Sequence, residues 1–212
     1  MKTNLFPETL SDPTAQVLKS FFDLKPDFLA SFYLSGGTAL ALQLGHRESE
    51  DLDFFSTKPF SPQEIEQELL KFGSLSETEL AQGTLNTFLR GVKLQFLEYP
   101  YPLLEPLVPW RTLKLSSLID LACTKLQTIG MRGSKKDFID IYFLLKKYSL
   151  PDLLAATKRK YRASDYSETH ILKSLIYFVD AEEQPDLKMH QNVSWEDLKN
   201  TITTAVKAID LS

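Results

Sequence analysis

The 212-residue chain has a single cysteine, Cys123, so an internal disulfide is excluded and a reducing compartment is expected. Its neighbours Leu121, Ala122 and Leu126 make it a buried structural thiol rather than a nucleophile. Three scattered histidines and one cysteine offer no zinc spacing. No apolar run reaches the length of a membrane span, and the N-terminus lacks the apolar stretch of a signal peptide, so no membrane partner and a cytoplasmic location are expected. Positive charge is not in excess either. The formal net charge is −4, which removes any global attraction to nucleic acid or anionic lipid and leaves only local patches for such contacts. Internal repeats and low-complexity tracts are missing.

The 43% hydrophobic and 25% charged content is ordinary for a globular protein, and the length suits one large domain or two small ones. Asp12-Pro13 opens a helical pattern over 12–30, with Val17, Leu18, Phe21, Phe22 and Leu24 as its apolar face and Pro26 as an interruption. Ser61-Pro62-Gln63-Glu64 opens another helix. Strands are expected over 84–89 and 92–97, joined at Arg90-Gly91. Pro100, Pro102, Pro106 and Pro109 then break regular structure and mark a boundary. Helices are expected beyond it over 117–129, 135–147, 151–160, 168–178 and 195–208.

Chemistry concentrates in two places. In the first, Tyr33-Leu34 runs into Gly36-Gly37-Thr38, a short apolar helix follows to Gly45, and Asp51-Leu52-Asp53-Phe54-Phe55 comes next. On a strand, Asp51 and Asp53 share one face about 6–7 Å apart. Two hard oxygen ligands suit Mg²⁺, which binds through one or two carboxylates plus substrate phosphates. A Gly-Gly-Thr turn at a helix start offers backbone N–H groups and a hydroxyl to a phosphate. Arg47 and Ser49 lie just before the carboxylates, and Arg47 suits a phosphate clamp or an offset for Glu48, Glu50 and Asp51. The pattern describes a site for a metal-bound nucleoside triphosphate.

The second place spans Asp120, Lys125, Arg132, Lys135, Lys136, Asp137 and Asp140. Phe138, Ile139, Ile141, Tyr142 and Phe143 make the same stretch too apolar for a free surface helix, so its charges are expected to be paired or aimed into a cleft. A basic run, Lys158-Arg159-Lys160-Tyr161-Arg162, is a candidate nucleic-acid patch, and is equally well explained by helix-dipole complementarity and solvation.

At these residues the chain resembles the nucleotidyltransferase superfamily with the DNA polymerase β-like palm, and more narrowly the AbiEii-type nucleotidyltransferase toxins. The narrower match rests on the segments 35–41, 47–55 and 135–145, with support from 99–104, 177–182 and 194–196. The resemblance implies an α+β fold: a palm-like mixed sheet with helices over 1–105, followed by an α-helical half over 106–212. It implies that Asp51 and Asp53 are metal ligands, that Gly36, Gly37, Thr38, Arg47, Ser49, Lys125 and Arg132 serve nucleotide binding, and that Lys136, Asp137 and Asp140 join the catalytic set. It also implies Mg²⁺, a nucleoside triphosphate, an RNA acceptor such as tRNA, and a cognate antitoxin protein.

A two-metal site usually wants a third carboxylate from a neighbouring strand. The natural position for it is occupied by Gln95, a poorer Mg²⁺ ligand and no general base. Three readings follow: a one-metal site, a substitute such as Glu98, or a catalytically impaired pseudoenzyme that binds nucleotide or protein. A glycosyltransferase using the Asp-x-Asp pair is opposed by the upstream Gly-Gly-Thr helix and by the lack of Rossmann-like alternation. An Asp-x-Asp phosphatase is disfavoured by Phe54-Phe55.

Overall fold

The computed structural model describes residues 4–164 and 167–209. The chain divides into two compact units, Met1–Ser117 and Leu118–Ser212.

In the first unit, helix α1 (Asp12–Leu24) ends at Lys25, whose left-handed backbone (φ 47°) precedes Pro26. Residues 27–31 continue only as a 3-10 turn, and Ser11 rather than Asp12 is the N-cap. Val17, Leu18 and Phe21 are buried as expected, but Leu24 is 65% exposed because it falls on the final turn, past the packed face. Strand β1 (Tyr33–Ser35) leads into helix α2 (Gly36–Leu44), which is buried from Thr38 to Leu44 and stops at Gly45 with φ 64°. A side chain at Gly45 would also collide with the Phe6 ring, 2.7 Å from the place its Cβ would take. Strand β2 (Leu52–Ser56) follows, then helix α3 (Pro62–Leu69), whose Ser61 cap accepts a hydrogen bond from Glu64 N–H.

Five more strands complete the sheet: β3 (Leu75–Ala81), β4 (Thr84–Leu89), β5 (Val92–Glu98), β6 (Val108–Trp110) and β7 (Leu113–Leu115). Their order is β3-β4-β5-β2-β1-β7-β6. The β2–β5 and β1–β7 pairs are parallel and the others antiparallel. Strands β6 and β7 fall beyond the proline-rich stretch, and their pairing with β1 carries the first unit to Ser117. Leu52, Phe54, Leu94 and Phe96 are buried on one face, where the Phe54 and Phe96 rings stack at 4.9 Å and Phe21 of α1 meets Phe54 edge-on at 6.1 Å. Alternation along the strands sends Asp53, Gln95 and Asn86 to the opposite face, and all three are half-buried.

The second unit is helical: α4 (Leu118–Ile129), α5 (Lys135–Leu145), α6 (Leu150–Lys160), α7 (Glu168–Leu175), the single turn α8 (Val179–Glu182) and α9 (Trp195–Lys207). Helix α4 packs against α5, α6 and α7, and α9 against α5 and α7. Buried ion pairs stitch this unit. Lys160 Nζ lies 2.6 Å from Asp120 Oδ1, joining α6 to α4, and Lys125 joins α4 to α5. No helix among the described residues is long and apolar enough to cross a membrane. The result is an α+β protein, a mixed sheet with helices followed by a helical half, as the resemblance implies.

Candidate functional site

The first group is assembled by the β1–α2 junction and β2. Ser35 pairs with Asp53 across the antiparallel β1–β2 ladder, and Gly36 then turns the chain into α2 with φ 63°. A Cβ at Gly36 would stand 1.9 Å from Asp53 Oδ2 and 2.8 Å from its Cγ. The Asp53 carboxylate therefore occupies the space that glycine leaves open, at the start of a helix whose first N–H groups are electropositive. Within α2, only Gly36 and Gly37 are half-exposed, so its N-terminus is the open end.

Thr38 fixes the other carboxylate residue. Its hydroxyl donates to the Asp51 carbonyl and lies 2.9 Å from Ser49 Oγ. Thr38 is fully buried, so the hydroxyl expected to face phosphate is turned inward and ties the helix to the 49–51 segment. Ser49 is also buried, and its N–H donates to Thr9 carbonyl at 3.0 Å. Arg47 is buried beneath the turn: Nη1 donates to Glu48 carbonyl at 2.8 Å, and Nη2 lies 2.8 Å from where a Gly37 Cβ would stand. Asp51 precedes β2 rather than sitting in it, while Asp53 is its second residue; both are half-buried.

Gln95 is the register partner of Asp53 on β5, as expected for the position where the resemblance called for a third carboxylate. Its Nε2 donates to Asn86 Oδ1 at 2.8 Å. Glu98 pairs with Ser56, three residues further along, so alternation sends it to the other face from Gln95. It packs instead over the β3–β4 turn, with Oε2 2.8 Å from where a Gly83 Cβ would stand. Glu98 is thus not positioned as a substitute on the Asp53 face. Among the described residues no three His, Cys, Asp or Glu side chains converge as a metal cluster.

The second group lies within the helical unit. Lys125 Nζ sits between Asp137 Oδ1 at 2.9 Å and Asp140 Oδ2 at 2.6 Å, and both carboxylates are fully buried. Ser134 hydroxyl donates to Asp137 Oδ2, and the Arg132 Nε, on a largely exposed side chain, lies 3.4 Å from the same oxygen. The i, i+3 spacing of Asp137 and Asp140 on α5 makes this three-way clamp possible. Lys136 is half-buried on the same helix. Lys135 belongs to a different network, donating to Gln184 carbonyl and lying 3.0 Å from Asp186. Asp120 is committed to Lys160. That pairing removes Lys160 from the basic run, and Tyr161 is only 1% exposed, so it is not a stacking platform. Cys123 is buried, and burial pushes its thiol from the ordinary 9.0 to about 11, in keeping with an inert structural role.

The family model described as "Nucleotidyl transferase AbiEii toxin, Type IV TA system" matches residues 20–105 and 85–210. The uncharacterized protein aq_aa25 of Aquifex aeolicus (strain VF5) is 40% identical over 186 residues, covering 83% of this chain and 86% of its own. Two solved structures share the fold. JHP933 from Helicobacter pylori is 19% identical with a TM-score of 0.54, covering 93% of this chain and 92% of its own. MenT4, nucleotidyltransferase toxin Rv2826c from Mycobacterium tuberculosis H37Rv, is 15% identical with a TM-score of 0.51, covering 95% and 87%. The chain belongs to the AbiEii nucleotidyltransferase toxin family.

Proposed function

We propose that the first unit binds a nucleoside triphosphate with Mg²⁺ and that the protein transfers its nucleotidyl group to an acceptor, an RNA such as tRNA, as the toxin partner of an antitoxin protein. The observation that carries this reading is the contact of the Asp53 carboxylate with Gly36 at the open N-terminus of α2. One short segment thereby presents both a carboxylate for a cation and backbone N–H groups for phosphate. The donor set fits a hard cation: Asp51 and Asp53 supply carboxylates, and Thr38 anchors the Asp51 backbone. When bound, the ion would neutralise phosphate oxygens and favour attack at the α-phosphorus.

The chain's own residues then divide the work. Gly36 and Gly37 let the Asp53 carboxylate and the Arg47 guanidinium close against the turn, whose backbone N–H groups are assigned to phosphate. Arg47, Thr38 and Ser49 support the turn from below. In the second unit, Arg132 and Lys136 lie beside a buried cluster of charges. Lys125, Asp137 and Asp140 fix the segment that carries them. Membership in a toxin family favours the enzyme over a nucleotide-binding pseudoenzyme.

The test is calorimetry with each of the four ribonucleoside triphosphates and Mg²⁺. Binding should require the metal and should vanish in the Asp51→Asn, Asp53→Asn double variant. Unchanged affinity in that variant removes the central claim. Incubation with labelled triphosphates and total RNA then identifies the acceptor.

A further inference from the structure

Asp53, Gln95 and Asn86 are successive neighbours across β2, β5 and β4, so their side chains rise from one face of the sheet. Neighbouring strands lie about 4.8 Å apart, within reach of a glutamine side chain. Gln95 spends its amide nitrogen on Asn86, on the β4 side. Among the described residues this is the hydrogen bond its side chain makes. A carboxamide is planar with nitrogen and oxygen diverging, so an amide anchored through nitrogen on one side offers its oxygen to the other. On that other side stands Asp53.

The geometry points to Asn86 as a positioning residue: it anchors the Gln95 amide so that Oε1 serves as a neutral oxygen ligand for the divalent ion held by Asp51 and Asp53. This rests on the metal-site reading above. Amide carbonyls are ordinary ligands of hard cations, and partners that orient a ligand control affinity nearly as strongly as the ligand does. Glutamine has three rotatable side-chain bonds, and holding it in one rotamer costs entropy unless a partner such as Asn86 pre-sets it. The exchange of carboxylate for amide has a consequence. The protein's donor set then carries two negative charges instead of three, so its grip on the free ion is weaker and the phosphates of the nucleotide contribute more of the total.

The experiment is Mn²⁺ titration of the full chain without nucleotide, followed by the electron paramagnetic resonance of the free ion, with circular dichroism melts as the folding control. Gln95→Leu and Asn86→Leu should each weaken Mn²⁺ binding about tenfold, and the double variant should be no worse than either. Gln95→Glu should tighten binding by tenfold or more, and in that background Asn86→Leu should have little further effect, because the amide N–H it anchored is gone. Asn86→Thr, suited to a strand, replaces Asn86→Leu if the latter does not fold. Unchanged Mn²⁺ affinity in Gln95→Glu overturns the ligand role. Gln95→Leu weakened with Asn86→Leu unaffected overturns the positioning role. Additive losses in the double variant overturn it too. Asp53→Asn separates the two levels: if it binds Mn²⁺ like the wild type, the metal-site reading itself fails, whereas if it alone loses binding, only the inference about Gln95 and Asn86 fails.

Discussion

Gly36 and Gly37 are adjacent in sequence, yet alanine at the two positions should have very different consequences. Gly36 has φ 63°, and non-glycine residues pay roughly 1–2 kcal/mol for that left-handed backbone. An alanine Cβ there would also lie 1.9 Å from Asp53 Oδ2 and 2.8 Å from Cγ. The carboxylate is short and rooted in β2, so it cannot swing clear without leaving its place; overpacking of this kind costs about 1–3 kcal/mol. Gly36→Ala should therefore lose about 2–5 kcal/mol. Gly37 is in the first turn of α2 without a positive φ, and its Cβ would meet Arg47 Nη2 at 2.8 Å and Ser49 Oγ at 3.2 Å. The nearest atom is the far end of a long side chain, and the helical preference for alanine over glycine, about 1 kcal/mol, offsets part of the strain. Gly37→Ala should stay within about 1 kcal/mol of wild type. Urea melts followed by far-ultraviolet circular dichroism measure both. Triphosphate calorimetry with Mg²⁺ should show at least a tenfold loss for Gly36→Ala and a smaller one for Gly37→Ala. Equal effects of the two substitutions, or a Gly36→Ala protein as stable as wild type, would refute the close approach of Asp53 to Gly36 as the organising contact.

Elements that could be read from the sequence are those whose local signals agree with their packing. Helix α2 was legible from Gly36-Gly37, an unbroken apolar run and Gly45, and strands β4 and β5 from their alternation about Arg90-Gly91, at which Arg90 has φ 53°. The Gln95 position was legible for the same reason: alternation along β5 and a parallel partner put it beside Asp53. Strand β3 was not legible. It is an edge strand with Ser76, Glu77, Glu79, Leu80 and Ala81 all exposed and an irregularity between Ser76 and Glu79, so no period-two apolar pattern marks it. Strands β6 and β7 have three residues each, too short to show a period, and β6 contains Pro109. In the candidate site, sequence spacing singled out Asp51, Asp53 and the Lys125, Asp137 and Asp140 charges, and the last three form a buried ion-pair cluster. It could not tell which hydroxyl or cation faces inward. Thr38, Arg47 and Lys160 carry groups that would suit a ligand, and only the fold shows them buried. Asn86 gave no signal, because its relation to Gln95 exists only across the β4–β5 register.

Three further outcomes test the helical unit's interior. Lys160→Ala should destabilise by about 3–5 kcal/mol by removing the cation 2.6 Å from the buried Asp120 carboxylate, whereas Lys158→Ala and Arg159→Ala, both exposed, should stay within about 0.5 kcal/mol; equal losses at all three would contradict the Asp120–Lys160 pairing. The Cys123 thiol, raised from 9.0 to about 11, stays protonated in the folded state while the unfolded chain ionises, so its contribution is intact below pH 9 and is lost as the pH rises toward 11. Urea melts at pH 8.5 and 10.5 should show Cys123→Ala losing about 1–2 kcal/mol less over that interval than wild type, and parallel losses would deny the shift. The sharpest test concerns Lys125, held between the fully buried carboxylates of Asp137 and Asp140 at 2.9 and 2.6 Å. Lys125→Met keeps the volume but leaves both acids in an apolar interior, at a cost of about 3–5 kcal/mol. Adding Asp137→Asn and Asp140→Asn removes the buried negative charge that Lys125 offset and should recover most of that loss, because the penalty comes from uncompensated charge in the interior rather than from a missing attraction. A triple variant no more stable than Lys125→Met, in urea melts at pH 7, would show that Lys125 does not act as the clamp of α4 to α5.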